Sequence, residues 1–149
     1  MKAREYFEGI RDEAIKIRQA SDMLDRLKAK EGARVQTLAP SSGHGSGDPM
    51  DAVASRIDFE ERLRDRIDSS REAVRRACDI LYGPHNDGGL AKLKGTRYAD
   101  AICMGYVQAM SWDDVAEIMQ CQPRWCQKLC DVGFVFIDNA GWANVRNAR

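Results

Sequence analysis

The stretch that decides the fold is SWDDVAEIMQCQPRWCQKL, Ser111 to Leu129. Its first half spaces apolar residues three and four apart, as one face of a helix does. Ser111 suits an N-cap, with Asp114 three residues later in the manner of a capping box. Asp113 and Asp114 both favour the positive end of a helix. WDDVAEIM therefore predicts a helix of about two turns. Gln120 to Gln122 would form a turn. Pro123 cannot sit in a helix interior but fits a first turn, so it announces a second helix, PRWCQKLCDVGFVFIDN.

Two short helices that cross tightly need a small residue at the contact and apolar residues facing inward around it. Ala116 is the small residue, and the inward positions counted from it hold Val115, Met119, Cys121, Cys126 and Leu129. Gln120 stands where such a turn ordinarily uses Gly, so a left-handed backbone there comes at a cost. The side chains left pointing outward are Gln122, Arg124, Gln127 and Lys128. Arg can pair two donors with guanine, Gln can pair with adenine, and Lys can meet a phosphate or guanine. Trp125 has two roles open to it: stacking on sugar and phosphate, or closing the packing between the helices. The pattern predicts a helix-turn-helix, which lays the start of its second helix in the major groove. The plainer alternative is an αα-hairpin in a bundle, because a period of 3.6 alone is not diagnostic.

Upstream, residues 3 to 31 predict one helix, with Ala3, Tyr6, Ile10, Ile17, Ala20, Leu24 and Leu27 in a heptad-like seam that weakens across Glu13 and Ala14. VQTLAPSSGHGSGDP then cannot hold a helix, so a flexible connector is expected at 32–48. A second long helix is expected from about Pro49 to Tyr82, capped by Asp48, with Val53, Ile57, Leu63, Ile67, Val74, Ala77 and Leu81 as its stripe. Each helix has one apolar face and is marginal alone, so the two should pack as an antiparallel, coiled-coil-like hairpin or against a second chain. GPHNDGG, 83–89, is turn chemistry. From Leu90 to Met110 one or two helices are expected, with Thr96 as N-cap after a break at Gly95, and with Ala99, Ile102, Cys103, Tyr106 and Met110 on a buried face. Phe134 to Ile137 are consecutive apolar residues, so at least one should face away from the core. The expected architecture is all-α: a hairpin over 1–82, a compact domain over 90–142 and a tail over 143–149.

The chain of 149 residues suits one domain, or a small domain with an extension, and a hydrophobic content of 44% suffices for a core. No apolar run approaches the roughly 18–20 residues of a membrane span, and the mixed charges of MKAREYFEGIRDEAIKIR do not read as a signal peptide. A soluble cytoplasmic protein is the expectation. The 23 basic and 23 acidic residues balance, which argues against a broad nonspecific nucleic-acid binder but not against a small reading surface. Within Ser111–Asp131 the acids Asp113, Asp114, Glu117 and Asp131 outnumber Arg124 and Lys128, so Lys92, Lys94 and Arg97 are candidates for phosphate contacts, with Arg146 and Arg149. Five cysteines without secretory context predict reduced thiols. Cys121, Cys126 and Cys130 invite a metal, but there is no CxxC and no nearby His, and packing explains them better, so no metal or cofactor is expected. His44 and His85 lie in Gly-rich loops with no nucleophile placed beside them, and GHGSGDP lacks the strand and Lys-Ser/Thr of a phosphate loop. Enzymatic activity is not expected.

YADAICMGYVQAMSWDDVAEIMQCQPRWCQKL resembles the C-terminal half of small phage and prophage proteins related to sigma-factor region four, the RinA- and ArpU-type late-gene regulators. Met104-Gly105-Tyr106-Val107, Ser111–Ala116 and Arg124-Trp125 carry the resemblance, and the layout of two long helices with a Gly/Ser-rich break near residue 40 is also similar. The resemblance implies sequence-specific binding of double-stranded DNA in transcription regulation, with RNA polymerase and a second copy of the chain as further candidate partners. The rival expectation is a helical adaptor that binds polymerase or another protein and keeps the helix-turn-helix as a scaffold.

Overall fold

The computed structural model describes residues 1–36 and 49–148. The stretch 37–48, with His44 and the expected cap Asp48, lies outside the described residues, as does Arg149. Among the described residues the fold is all α, without strands. Helix α1 runs Ala3–Gln36, α2 Pro49–Tyr82, α3 Gly89–Leu93, α4 Thr96–Ile102, α5 Trp112–Met119, α6 Pro123–Ala140 and α7 Trp142–Arg146; a π-helical turn, Cys103–Val107, extends α4. Helix α1 passes the expected end at residue 31, so 32–36 are helical rather than connector. The first turn of α2 begins with Pro49, whose missing N–H would be an orphan there in any case.

The chain divides into two compact units, Lys16–Ser69 and Met1–Ile15 with Ser70–Arg149. In the first, Ala20 and Leu24 of α1 pack on Leu63 and Ile67 of α2, flanked by Ile17 and Leu27. Glu31 pairs with Arg56 at 3.5 Å, so the two segments run antiparallel. Val53 and Ile57, expected in the stripe, are 41% and 52% exposed. The reason for Ile57 is phase. Leu63, Ile67, Ser70, Val74, Ala77 and Leu81 step by four and three, and the same steps taken backward land on Glu60 and Arg56, both partly buried. Val53 is in phase but stays uncovered.

In the second unit the stripe gap at Ser70 meets the weak step at Glu13. The Ser70 hydroxyl donates to Glu13 Oε2 at 2.6 Å, so the polar interruptions of the two seams satisfy each other. The core joins Phe7, Ile10, Leu81, Leu90, Ile102, Tyr106, Leu129, Phe134, Ile137 and Val145. Phe7 stacks on Phe134 with centroids 5.5 Å apart, and Tyr106 meets Phe134 edge-on at 5.1 Å. The Ala3 N–H, an orphan donor of the first turn of α1, donates to Asp138 Oδ1 of α6 at 2.8 Å. The compact unit is therefore larger than the expected 90–142, because Phe7 and its neighbours on α1 bury the apolar side of α6. The expected tail also belongs to it: α7 places Val145 in the core, fully buried.

Two glycines fix the turns. Gly89 has φ +66, and a Cβ there would stand 2.6 Å from the Leu81 carbonyl carbon, so only Gly fits where α3 folds back on the end of α2. Gly95, with φ +145, separates α3 from α4; Thr96 is the first helical residue rather than the N-cap, and its side chain makes no cap bond. Val135 is 58% exposed, the one of the four consecutive apolar residues most turned from the core.

Candidate nucleic-acid interface

The site is built on α5, its turn and α6. Ser111 takes an extended backbone, and its hydroxyl accepts from the Asp114 N–H at 3.2 Å, closing the cap of α5. Helix α5 ends in a Schellman turn: the Gln120 N–H donates to Glu117 O at 3.4 Å and the Cys121 N–H to Ala116 O at 3.1 Å. Gln120 adopts φ 56, ψ 46, the left-handed conformation that glycine takes without strain. Gln122 is extended, Pro123 opens α6, and the Trp125 and Cys126 N–H groups donate to the Gln122 carbonyl at 3.0 and 3.1 Å. The turn thus satisfies its own backbone while reversing the chain in three residues.

Val115, Ala116 and Cys126 form a small buried cluster, with Met104, Met110, Trp112, Met119 and Cys121 packed around it. Leu129 is buried in the larger core. The expected inward positions therefore all face inward, Met119 and Cys121 only partly. Trp112 closes this cluster against the π-turn: its ring lies over Gly105, where a Cβ would come within 2.6 Å, and meets Tyr106 edge-on at 5.8 Å. A glycine and a tryptophan seven residues apart, Gly105 and Trp112, are the only sequence signal of that contact.

No family model, curated protein or solved structure matches this chain. The interface is therefore weighed on its own geometry.

Gln122, Arg124, Gln127 and Lys128 are all exposed. The side chains of Gln122, Arg124 and Gln127 make no hydrogen bond or ion pair among the described residues, so their donors are available to a ligand. Trp125 is 48% exposed, with the Lys128 ammonium 5.6 Å from its ring centroid. It does not close the packing between the helices; its face is available to a partner. Lys94 lies 5.3 Å from the Tyr98 ring and 5.9 Å from the Phe136 ring, and with Lys128 it borders a groove of ≈ 520 Å³ floored by Val132, Val135 and Phe136. Burial raises the Cys126 thiol, and the charge of Arg97, exposed on the first turn of α4, offsets a part of that rise, so Arg97 acts near the start of α6. Lys92 is exposed in the last turn of α3. Arg146 lines a different cavity with Tyr6, Arg75, Arg76 and Trp142.

Of the acids, Asp113, Asp114 and Glu117 are exposed on α5. Asp131 is paired with Arg4 of α1. Both partners are about half exposed, so the pair adds little stability, but it offsets the one acid that α6 carries beside Lys128. Burial pushes the Cys126 thiol up to about 11 and the Cys130 thiol up to about 12, so both behave as small apolar groups. No group of three or more His, Cys, Asp or Glu that could hold a metal occurs among the described residues, and no helix among them is long and apolar enough to cross a membrane.

Proposed function

We propose that the chain is a sequence-specific DNA-binding transcription regulator whose α5–turn–α6 segment is a helix-turn-helix of the sigma region-four kind, with α6 as the recognition helix. In this reading it is a bacterial protein of phage or prophage origin. The observation that carries the proposal is the exposed set Gln122, Arg124, Gln127 and Lys128, the first three without a partner among the described residues, at the start of a helix whose opposite face is locked against α5. Arg124 and Gln127 would read base edges in the major groove, Gln122 and Lys128 would contact bases or phosphates near the helix entrance, and Trp125 would stack on sugar and phosphate. Lys94 and Arg97, brought beside α6, would neutralise flanking phosphates. RNA polymerase or a second copy of the chain would supply the remaining contacts.

The test is binding to fluorescent genomic duplex fragments across a salt series, with Arg124→Ala/Lys128→Ala alongside. Each lost base-edge pair is expected to cost about 1–3 kcal/mol of discrimination, and each lost phosphate contact to lower the salt slope by about one. Absence of binding at low salt, with both proteins folded, would refute the proposal. The second reading, an adaptor that binds another protein through a helical surface, is favoured by the exposed apolar line Trp125, Val132 and Val135 on α6. It predicts a partner whose binding is insensitive to salt, since apolar contacts release few counterions.

A further inference from the structure

Four of the five thiols stand in two pairs. Cys121 Sγ and Cys126 Sγ are 2.8 Å apart across the turn between α5 and α6, only about 0.8 Å more than a disulfide bond of about 2.05 Å. Their positions are set by the backbone. Cys121 follows left-handed Gln120 and donates its N–H to Ala116 O, while the Cys126 N–H donates to Gln122 O on the first turn of α6. Cys126 is fully buried, but Cys121 is partly exposed, so a small reagent reaches one sulfur from solvent and the other waits behind it. A bond between them would close a ring around Gln122, Pro123, Arg124 and Trp125, residues that the proposed recognition helix presents to DNA.

We propose that Cys121 and Cys126 form a reversible intrachain disulfide, which makes the turn between α5 and α6 a modification site for low-molecular-weight disulfides. The chemistry is thiol–disulfide exchange. Cys121 loses its proton to solvent, and its sulfur attacks one sulfur of a small disulfide, R–S–S–R. That S–S bond breaks, and the first R–S⁻ leaves with the electron pair and takes up a proton. Cys126 then gives its proton to solvent, and its sulfur attacks Cys121 Sγ, expelling the second R–S⁻. Two protein thiols are oxidised by two electrons in all, and one small disulfide is reduced to two thiols. Burial disfavours the Cys126 thiolate and the Arg97 charge favours it, so Cys126 is the slower, resolving partner. A reducing cytosol would return the pair to thiols. Any bearing on DNA binding rests on the function proposed above; formation of the bond does not.

The competing pair is Cys78 and Cys103, whose thiols are hydrogen-bonded to each other. The experiment must therefore locate the bond. The full-length protein, and a Cys78→Ser/Cys103→Ser variant of it, are incubated with oxidised glutathione and quenched in acid. Free thiols are then alkylated, and tryptic fragments are read by mass spectrometry. The expected result in both proteins is a linked pair of fragments, 98–124 joined to 125–128, lighter by two hydrogen atoms than the two separate fragments and parted by a reductant. Cys121→Ser, at the partly exposed position, is expected to abolish the link and leave Cys126 alkylated once the protein is unfolded. Full alkylation of both thiols after oxidation, or a glutathione adduct on Cys121 that Cys126 never displaces, overturns the proposal. So does a bond confined to Cys78 and Cys103. DNA binding of the reduced protein is measured in parallel. A located Cys121–Cys126 bond without DNA binding supports the thiol site and removes the DNA reading; DNA binding without the bond does the opposite.

Discussion

Replacing Phe7 by Ala tests whether the first turns of α1 belong to the C-terminal unit. Phe7 is fully buried, its ring stacked on Phe134 and met edge-on by Tyr6 at 5.2 Å. Truncation removes the burial of a whole aromatic ring and opens a cavity that the neighbouring helices cannot refill completely. Substitutions of this kind cost about 3–5 kcal/mol, of which the aromatic pairing accounts for about 0.5–1.5 kcal/mol. Domains hold only about 5–15 kcal/mol in total, so the loss is roughly a fifth or more of the whole. At roughly 3–4 °C per kcal/mol for a chain of this size, the midpoint falls by about 10–20 °C. The assay is urea and thermal unfolding followed by tryptophan fluorescence. Trp112, Trp125 and Trp142 all lie in the unit that contains Phe7, so the signal reports on that unit alone. The control is Leu93→Ala on α3, in the same unit, where the side chain is 44% exposed, with an expected cost under about 1 kcal/mol. Equal shifts in the two variants would refute the packing of α1 on α6, and with it the role of Phe7 in positioning the candidate interface.

Gln120→Gly is expected to stabilise the protein by about 0.5–1 kcal/mol in urea unfolding: relief of a left-handed backbone that costs about 1–2 kcal/mol exceeds the entropy glycine adds to the unfolded chain; a lower midpoint would mean that the Gln120 side chain contributes a contact worth more than the strain. Gly89→Ala should cost well over about 1 kcal/mol in the same assay, because the added Cβ would sit 2.6 Å from backbone at a positive φ, and an unchanged midpoint would contradict the tight return of α3 onto α2. The hydrogen bond from Cys103 holds the Cys78 thiol down at about 7 against the burial that raises it. Its thiolate therefore fills as pH rises through about 7, and its iodoacetamide alkylation should reach a plateau above about pH 8, whereas in Cys103→Ala, with burial and the Asp79 charge left unopposed, the midpoint should move up past the ordinary thiol value of about 8.5; a profile that does not shift would remove that hydrogen bond as the cause.

The features legible in the sequence are those whose cause is local. Ser111 caps α5 because its hydroxyl reaches an amide three residues away, and Pro123 opens α6 because its ring fixes φ; both signals act within one turn of chain. Phe7 was not legible for the opposite reason. A seam of three- and four-residue steps runs equally well through Tyr6, and only Phe134, more than a hundred residues later, makes Phe7 the buried neighbour. The apolar character of Ile57 suggests a place on the stripe, although the phase set by Leu63 and Ile67 excludes it. Glu13 reads as a weak step in its own seam and Ser70 carries no signal by itself; they become one feature only when the two helices are side by side. Helix α7 is too short for any periodicity, so Val145 gave no sign of its burial.

The same division between local and distant causes decides what can be said of charge at the candidate interface. Counted along Ser111–Asp131, acids exceed bases, which weakens a DNA reading. The folded chain draws from other segments. Arg4 of α1 pairs with Asp131, Lys94 at the end of α3 shares a groove with Lys128, and Arg97 of α4 acts on Cys126 at the start of α6. The field that a phosphate would meet at α6 is therefore composed by four helices, three of them outside the motif. The acids that remain uncompensated, Asp113, Asp114 and Glu117, lie on α5, the helix that in the proposed geometry braces across the backbone rather than entering the groove. A duplex would have to approach with α6 foremost and α5 held off by its own charge, which predicts that Asp131→Asn, by freeing Arg4 beside α6, tightens binding most, while Asp113→Asn and Glu117→Gln on α5 tighten it less. Equal gains at all three positions would mean that the duplex does not distinguish α5 from α6, and the assignment of α6 as the recognition helix would fail with it.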